Sequence, residues 1–242
     1  MAETIAVLGV GPSRGLGAAI ARRFAAGGFR VFIAGRNAER LSEVAAEVGA
    51  LGAPATPIPT DVTEPAQVAA FFDRVEADAG VPDAVVYNAG NNKQVAFLDI
   101  EPDMFEKFWR VCCFGGFVVG QEAARRMLPR ARGSILFTGA SASRRGRAGF
   151  APFAAGKAGL KMVAESMARE FGPQGLHVGH VIIDGGIDGD RIRLRRPDIA
   201  EARGADGLLA IDDIAETFWQ LHHQGPSAWT FETELRPFKE AF

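Results

Sequence analysis

Hydrophobic and polar positions along this chain fall into two alternating patterns. Short apolar runs rich in β-branched residues occur at 4–10 (TIAVLGV), 30–35 (RVFIAG), 55–62 (ATPIPTDV), 83–90 (DAVVYNAG), 133–140 (GSILFTGA) and 176–184 (LHVGHVIID). A run without polar alternation marks a strand covered on both faces. Between these runs, apolar residues recur every three or four positions, as in AAIARRFAAGG and NAERLSEVAAEVGAL, which places them on one helical face. Further helices are expected over EPAQVAAFFDRVEADAG, with Thr63 as its cap, from Pro102 through Met127, and from Phe150 to about Gly175. In the tail, a helix opening with IDDIAETF precedes a final strand. No internal repeat, low-complexity tract or linker interrupts the alternation. It predicts an α/β fold in one domain, residues 1–242, with a doubly wound parallel sheet and helices on both faces.

Composition narrows the function classes. At 48% hydrophobic and 23% charged residues, the chain has the makeup of a globular protein with a large core. A net charge of −2 without a basic stripe argues against nucleic acid as a partner. No apolar stretch approaches the roughly 18–20 residues of a membrane span, and the N-terminus lacks the features of a signal peptide. The two cysteines, Cys112 and Cys113, are adjacent, which disfavours an ordinary disulfide and suits a reducing, cytoplasmic setting. The four histidines show no metal-ligand spacing, since His222 and His223 are neighbours on an expected helix and diverge; no metal is expected.

The chemistry begins with GVGPSRGLG (9–17), between the first strand and the first helix. Glycines there allow a tight turn and let a pyrophosphate reach backbone N–H groups at the helix N-terminus, the dinucleotide-binding arrangement of a Rossmann-type sheet. Gly11, Ser13, Arg14, Gly15, Leu16 and Gly17 are therefore candidate cofactor-binding residues. At the end of the second strand, where an NAD site carries an acid for the ribose 2′-hydroxyl, the chain has Gly35, Arg36 and Asn37. Two guanidinium groups, Arg14 and Arg36, suit a 2′-phosphate, so NADP(H) is expected in preference to NAD(H). The alternative is that both arginines are solvated surface residues.

With GPSRGLG (11–17), TDV (60–62), NAG (88–90), GSILFTGAS (133–141) and FAAGKAG (153–159) in this order, the chain resembles the short-chain dehydrogenase/reductase family over nearly its whole length. The resemblance implies about seven strands, hydride transfer between NAD(P)(H) and an alcohol or carbonyl, and assembly into homodimers or homotetramers. It implies that Asp61 and Val62 lie at the adenine, and that Asn88, Ala89 and Gly90 form the wall beside the cofactor. It also implies that Gly185 and Ile187 lie at the nicotinamide, in a segment where Asp184 replaces the family's proline and Gly189 its threonine.

The family's catalytic Asn, Ser, Tyr and Lys correspond here to Cys112, Ala140, Phe153 and Lys157, so only the lysine is kept. The sole tyrosine, Tyr87, ends a strand and is expected to pack in the core. Loss of the tyrosine and serine removes general acid–base help worth roughly 10²–10⁴-fold. Three readings stay open. The chain is an oxidoreductase acting on a small molecule, with Lys157, Ser141 and Asp184 as catalytic candidates and Ser143, Cys112 or a lysine-bound water as further proton sources. Alternatively it is an NADP(H)-binding sensor without turnover, or a structural subunit of a mixed oligomer. Phe114, Phe150 and Phe153 are candidates for an apolar substrate wall. Arg191, Arg193, Arg195 and Arg196 fall where the family carries a lid, facing an acidic ligand or forming a solvated charged helix.

Overall fold

The computed structural model describes residues 2–240. Six strands, β1 (Thr4–Leu8), β2 (Arg30–Gly35), β3 (Ala55–Pro59), β4 (Ala84–Tyr87), β5 (Ser134–Thr138) and β6 (His177–Ile183), lie in one sheet. Next come β7 (Ile187–Asp188) and β8 (Leu209–Ala210), which form a separate two-stranded ribbon. Finally β9 (Glu232–Leu235) completes a seven-stranded sheet of order β3-β2-β1-β4-β5-β6-β9, with every pairing parallel. The central strands β1, β4, β5 and β6 are buried at every residue, which is why they read as unbroken apolar runs. At one edge, β3 carries Pro57 and Pro59, residues that suit a strand with one unpaired side.

Helices α1 (Leu16–Ala26), α2 (Ala38–Gly49) and α3 (Pro65–Ala79) follow the first three strands in turn. After β3 the chain returns to lay β4 beside β1, so the winding direction reverses between these two central strands. Successive loops must diverge there, leaving a crevice at the carboxyl ends of β1 and β4.

The helix expected over 102–127 is interrupted. A π-helical turn, Arg110–Phe114, joins α4 (Pro102–Trp109) to α5 (Gly115–Met127). Tyr87 donates its hydroxyl to the Val111 carbonyl in that turn at 2.5 Å, and Cys112 and Cys113 are turned inward with free thiols. The long helix α6 (Ala151–Phe171) packs across α4 and the π turn. Pro152 opens it and Pro152, Gly156, Lys157, Leu160, Ala164 and Met167 form its buried face. Gly156 allows the contact, since a Cβ there would stand 2.6 Å from the Cys112 Cβ.

Two expectations are corrected. Thr63 does not cap α3, whose flanking residue is Glu64. Both the Thr63 amide and its hydroxyl donate to Asp61 Oδ1, a local turn that holds Thr63 away from the helix. His222 and His223 do not diverge, because α9 (Ile211–His222) ends between them, after the short helices α7 (Asp190–Arg195) and α8 (Pro197–Arg203). His223, the C-cap residue at φ −89° and ψ 4°, brings its ring to 4.9 Å from that of His222. Among the described residues no helix is long and apolar enough to cross a membrane.

A polar group lies inside β6. His180 is fully buried, and its Nδ1 is 3.2 Å from Glu232 Oε2 on β9 while its Nε2 is 3.4 Å from the Ser143 hydroxyl. Burial, opposed by Glu232 and reinforced by Lys157, lowers its pKa to about 4, so the ring is neutral. With the proton on Nδ1 facing the carboxylate, Nε2 accepts from Ser143, whose oxygen in turn accepts the Ala140 N–H at 3.2 Å. The turn after β5 is thereby tied to β6 and β9.

Two outcomes follow from this packing. Gly→Ala inside a helix ordinarily stabilises by about 1 kcal/mol, but Gly156→Ala should destabilise by about 1–3 kcal/mol through overpacking against Cys112, read by urea denaturation. A stabilised variant would show that the contact is loose. For His180, the folded pKa lies below the unfolded value, so stability is present above about pH 6.5 and falls as pH drops toward 4. Between pH 7 and pH 5 the wild type should lose about 2 kcal/mol more than His180→Gln. Equal losses in urea titrations at the two pH values would refute the buried, neutral ring.

Candidate functional site

The crevice between β1 and β4 opens on the glycine loop. Gly9 turns the chain out of β1 at φ +100°, and a Cβ there would lie 2.3 Å from the Ala89 amide nitrogen. Only glycine lets the two strand ends approach so closely. Asn88 clamps the same point, donating to the Gly9 carbonyl at 3.0 Å and accepting from Thr138 Oγ1 at 3.1 Å. Gly15 is the N-cap of α1 and makes no side-chain cap, so the first-turn amides of Leu16 and Gly17 face the loop. A Cβ on Gly11 would meet nothing within 4 Å, which leaves the outer side of the loop open to a pyrophosphate.

At the adenine end, Arg36 is exposed beyond β2, and Arg14 is 65% exposed with only a 3.8 Å approach to Asp190. Neither guanidinium is committed to a close carboxylate partner in the described contacts, so both are available to an added phosphate. The neighbouring polar side chains have local work. Asn37 caps α2 by accepting from the Arg40 amide at 2.9 Å, and Ser13 donates to Glu47 at 2.7 Å. Asp61 accepts from Thr63, and the buried Val62 side chain packs beside it. Ser13 and Asn37 thus shape the pocket through backbone position more than through free side-chain donors.

At the other end of the crevice stands Lys157. It is 4% exposed, and its Nζ donates to the Thr138 carbonyl at the end of β5 at 2.7 Å. Burial lowers its pKa, with Cys112 acting in the opposite direction. A Cβ built on Gly90 would be 3.4 Å from this Nζ and 4.0 Å from Cys112 Sγ, so the NAG turn, the π turn and α6 converge on one spot. Phe153 is half-buried one helical turn before Lys157, and Ala140 lies two residues beyond Thr138. Lys157 and Cys112 therefore meet beside Gly90, and Ala140 follows the strand end that Lys157 binds.

The catalytic candidates fare differently. Ser141 begins a short 3-10 turn, Ser141–Ser143, at the rim and is partly exposed. Asp184 is buried, with Oδ2 2.6 Å from Arg236 and Oδ1 3.3 Å from Arg145. Tyr87 is fully buried, and burial raises its pKa well above the usual phenol value. Gly185 packs against Pro237, Gly186 faces Ile192 of α7, and Ile187 pairs with Leu209 in the small ribbon.

The segment of α7 reaches the glycine loop. The Asp190 amide donates to the Arg14 carbonyl at 3.0 Å, and Arg191 donates to Asn91 Oδ1 at 2.8 Å and to the Asn92 carbonyl at 3.0 Å. Arg193 is paired with Asp188 and Arg196 with Asp198, while Arg191 is fastened to the Asn91–Asn92 loop. Sequence reasoning missed Thr138 and Asn91 because they act through a backbone carbonyl and a long-range loop contact. His180 carried one signal, a polar residue inside an otherwise apolar strand.

Comparison with known proteins agrees with this geometry. The family profile described as short chain dehydrogenase matches residues 5–197. Gluconate 5-dehydrogenase of Gluconobacter oxydans is 32% identical over 69% of this chain and 66% of its own length, just under two thirds. The 3-oxoacyl-(acyl-carrier-protein) reductase MabA of Mycobacterium bovis is 33% identical over 77% of this chain and 71% of its own. A short-chain dehydrogenase from Rhodopseudomonas palustris superposes with a TM-score of 0.83 at 39% identity, covering 98% of this chain and 99% of the other. A metagenomic short-chain oxidoreductase in complex with NADP superposes with a TM-score of 0.82 at 26% identity, covering 98% of each chain. Sheet order, glycine loop and these matches concur: the chain belongs to the short-chain dehydrogenase/reductase family of nicotinamide-cofactor oxidoreductases.

Proposed function

We propose that this chain is an NADP(H)-dependent oxidoreductase whose active site works without the family's tyrosine. The observation that carries the reading is the fate of the only tyrosine. Tyr87 spends its hydroxyl on the Val111 carbonyl inside the core, while Phe153 stands one turn ahead of Lys157. Lys157 remains because a lysine at this point also positions the cofactor ribose. NADP(H), when bound, supplies or accepts the hydride.

The chain's own residues do the rest. The α1 amides and the open face at Gly11 receive the pyrophosphate, and Arg14 and Arg36 receive the 2′-phosphate. Phe153 and the half-buried Phe150 give the substrate side an apolar wall that excludes water, whereas Phe114, expected there from the sequence, stacks between Trp109 and Phe117 on the α5 side. Ser141, on the rim, is the hydroxyl nearest in sequence to the serine position and is the proton-donor candidate, together with a water held by Lys157. Asp184, engaged by two arginines, serves to hold the ends of β6 and β9. The run Ser143–His180–Glu232 has the order of a nucleophile, base and acid, but Ser143 is 6% exposed and its oxygen is taken by Ala140, so it supports the turn.

A second reading is a cofactor-binding sensor without turnover. It is favoured by the Lys157 ammonium, which is satisfied by Thr138 in the absence of any tyrosine hydroxyl. For assembly, the exposed Phe117 and Met162 line a groove of about 690 Å³ between α5 and α6, a face suited to a homodimer or homotetramer.

Fluorescence titration should give tighter binding of NADPH than NADH, with about tenfold of that preference lost in each of Arg36→Ala and Arg14→Ala. Equal affinities in the wild type would sink the assignment. Simple ketones and alcohols should turn over negligibly, and Phe153→Tyr with Ala140→Ser should raise the rate by ~10²-fold or more. Strong wild-type turnover on such a panel would contradict the role given to Phe153. A double variant that binds NADPH and stays inert would favour the sensor.

A further inference from the structure

We propose that Glu3, His222 and His223 form a binding site for a divalent transition-metal ion at the end of the sheet opposite the cofactor crevice. The proposal is independent of the reaction assigned above. One ring nitrogen of each histidine and a carboxylate oxygen of Glu3 lie within 4.8 Å of one another. Tetrahedral ligands bonded at roughly 2.0–2.2 Å stand roughly 3.3 Å apart, so closure needs at most about 1.5 Å of movement. Glu3 is exposed just before β1, where a side-chain rotation supplies that distance.

The two rings are already oriented for the task. His223 Nδ1 is 2.8 Å from the Trp219 carbonyl, and His222 Nδ1 is 2.7 Å from the Ser134 hydroxyl. A carbonyl can only accept, so His223 carries its proton on Nδ1 and keeps its lone pair on Nε2. At His222 the Ser134 hydroxyl engages Nδ1, and Nε2 is the ligand nitrogen when Nδ1 donates to that hydroxyl. Such partners on the far nitrogen are what orient imidazole ligands at metal sites. Ring contacts fix both planes: Phe29 lies 5.3 Å from His222 and 6.2 Å from His223, and Trp219 lies 3.9 Å from His223.

Charge around the site is mixed: the histidines end α9, where the helix dipole is negative, and Asp83, just before β4, adds negative charge near His222. Arg130 and Arg132, both paired with Asp83, offset part of that acid charge, which leaves Glu3 as the anion the site needs. Glu3 and His223 are exposed, so an ion reaches the site from solvent. Two nitrogens and one carboxylate oxygen suit Zn²⁺, Ni²⁺ or Cu²⁺ and leave a fourth position for water. A bound ion would fasten the start of β1 to the end of α9, the helix that packs on α1.

The test uses the full chain, stripped with a chelator and dialysed. Calorimetric titration with Zn²⁺ should show one ion per chain and a rise in melting temperature. Co²⁺ should give the visible absorption of a four-coordinate site. His223→Asn and Glu3→Gln, both at exposed positions, should each weaken Zn²⁺ binding by at least about tenfold while NADPH binding stays at the wild-type level. Absence of one-to-one binding in the wild type would overturn the proposal. So would undiminished binding in His223→Asn, or loss of binding in Cys113→Ser, which would move the ion to the thiols.

Discussion

One buried ammonium organises the functional half of this molecule. Lys157 sits on the apolar face of α6 and reaches across to the carbonyl that ends β5. A charge so enclosed is costly unless it is hydrogen-bonded, and its pKa is pushed down accordingly. The bond to Thr138 therefore fixes the helix against the sheet at the place where the NAG turn and the π turn also meet. Thr138 is itself bonded through its hydroxyl to Asn88, and Asn88 holds the glycine loop. Through Thr138 and Asn88, the Lys157 end of the crevice is tied to the glycine loop.

The surrounding fold makes that convergence possible. Reversal of strand order between β1 and β4 opens the crevice, while close contacts at Gly9 and Gly156 bring its walls together. Helix α7 is then fastened to the Asn91–Asn92 loop by the Arg191 bonds. At the inner end of the crevice Lys157 and Cys112 meet beside Gly90.

Much of this was legible in the sequence, for physical reasons. Strands buried on both faces leave continuous apolar runs, so the central sheet could be read directly, and a glycine cluster between strand and helix marked the crevice. Features that depend on tertiary partners could not be read. The apolar period runs straight through Arg110–Phe114, so the π turn left no trace, although it sets the position of Cys112. Thr63 looked like a cap until Asp61 claimed it, and His222 and His223 looked divergent until α9 stopped between them. At the site, the family's motif positions located Lys157, Phe153, Ala140 and Cys112. They could not reveal that Ser13 and Asn37 spend their side chains on Glu47 and on a helix cap.

The central claim is that a cofactor crevice is kept around Lys157 while the tyrosine's place is taken by an aromatic ring without a proton. A crystal structure with NADP⁺ bound tests it most directly. The account predicts the 2′-phosphate on Arg14 and Arg36, the ribose hydroxyls on Lys157, and Phe153 facing the nicotinamide with Tyr87 still bonded to Val111. A structure in which Tyr87 has moved into the crevice, or in which Lys157 makes no contact with the cofactor, would contradict it.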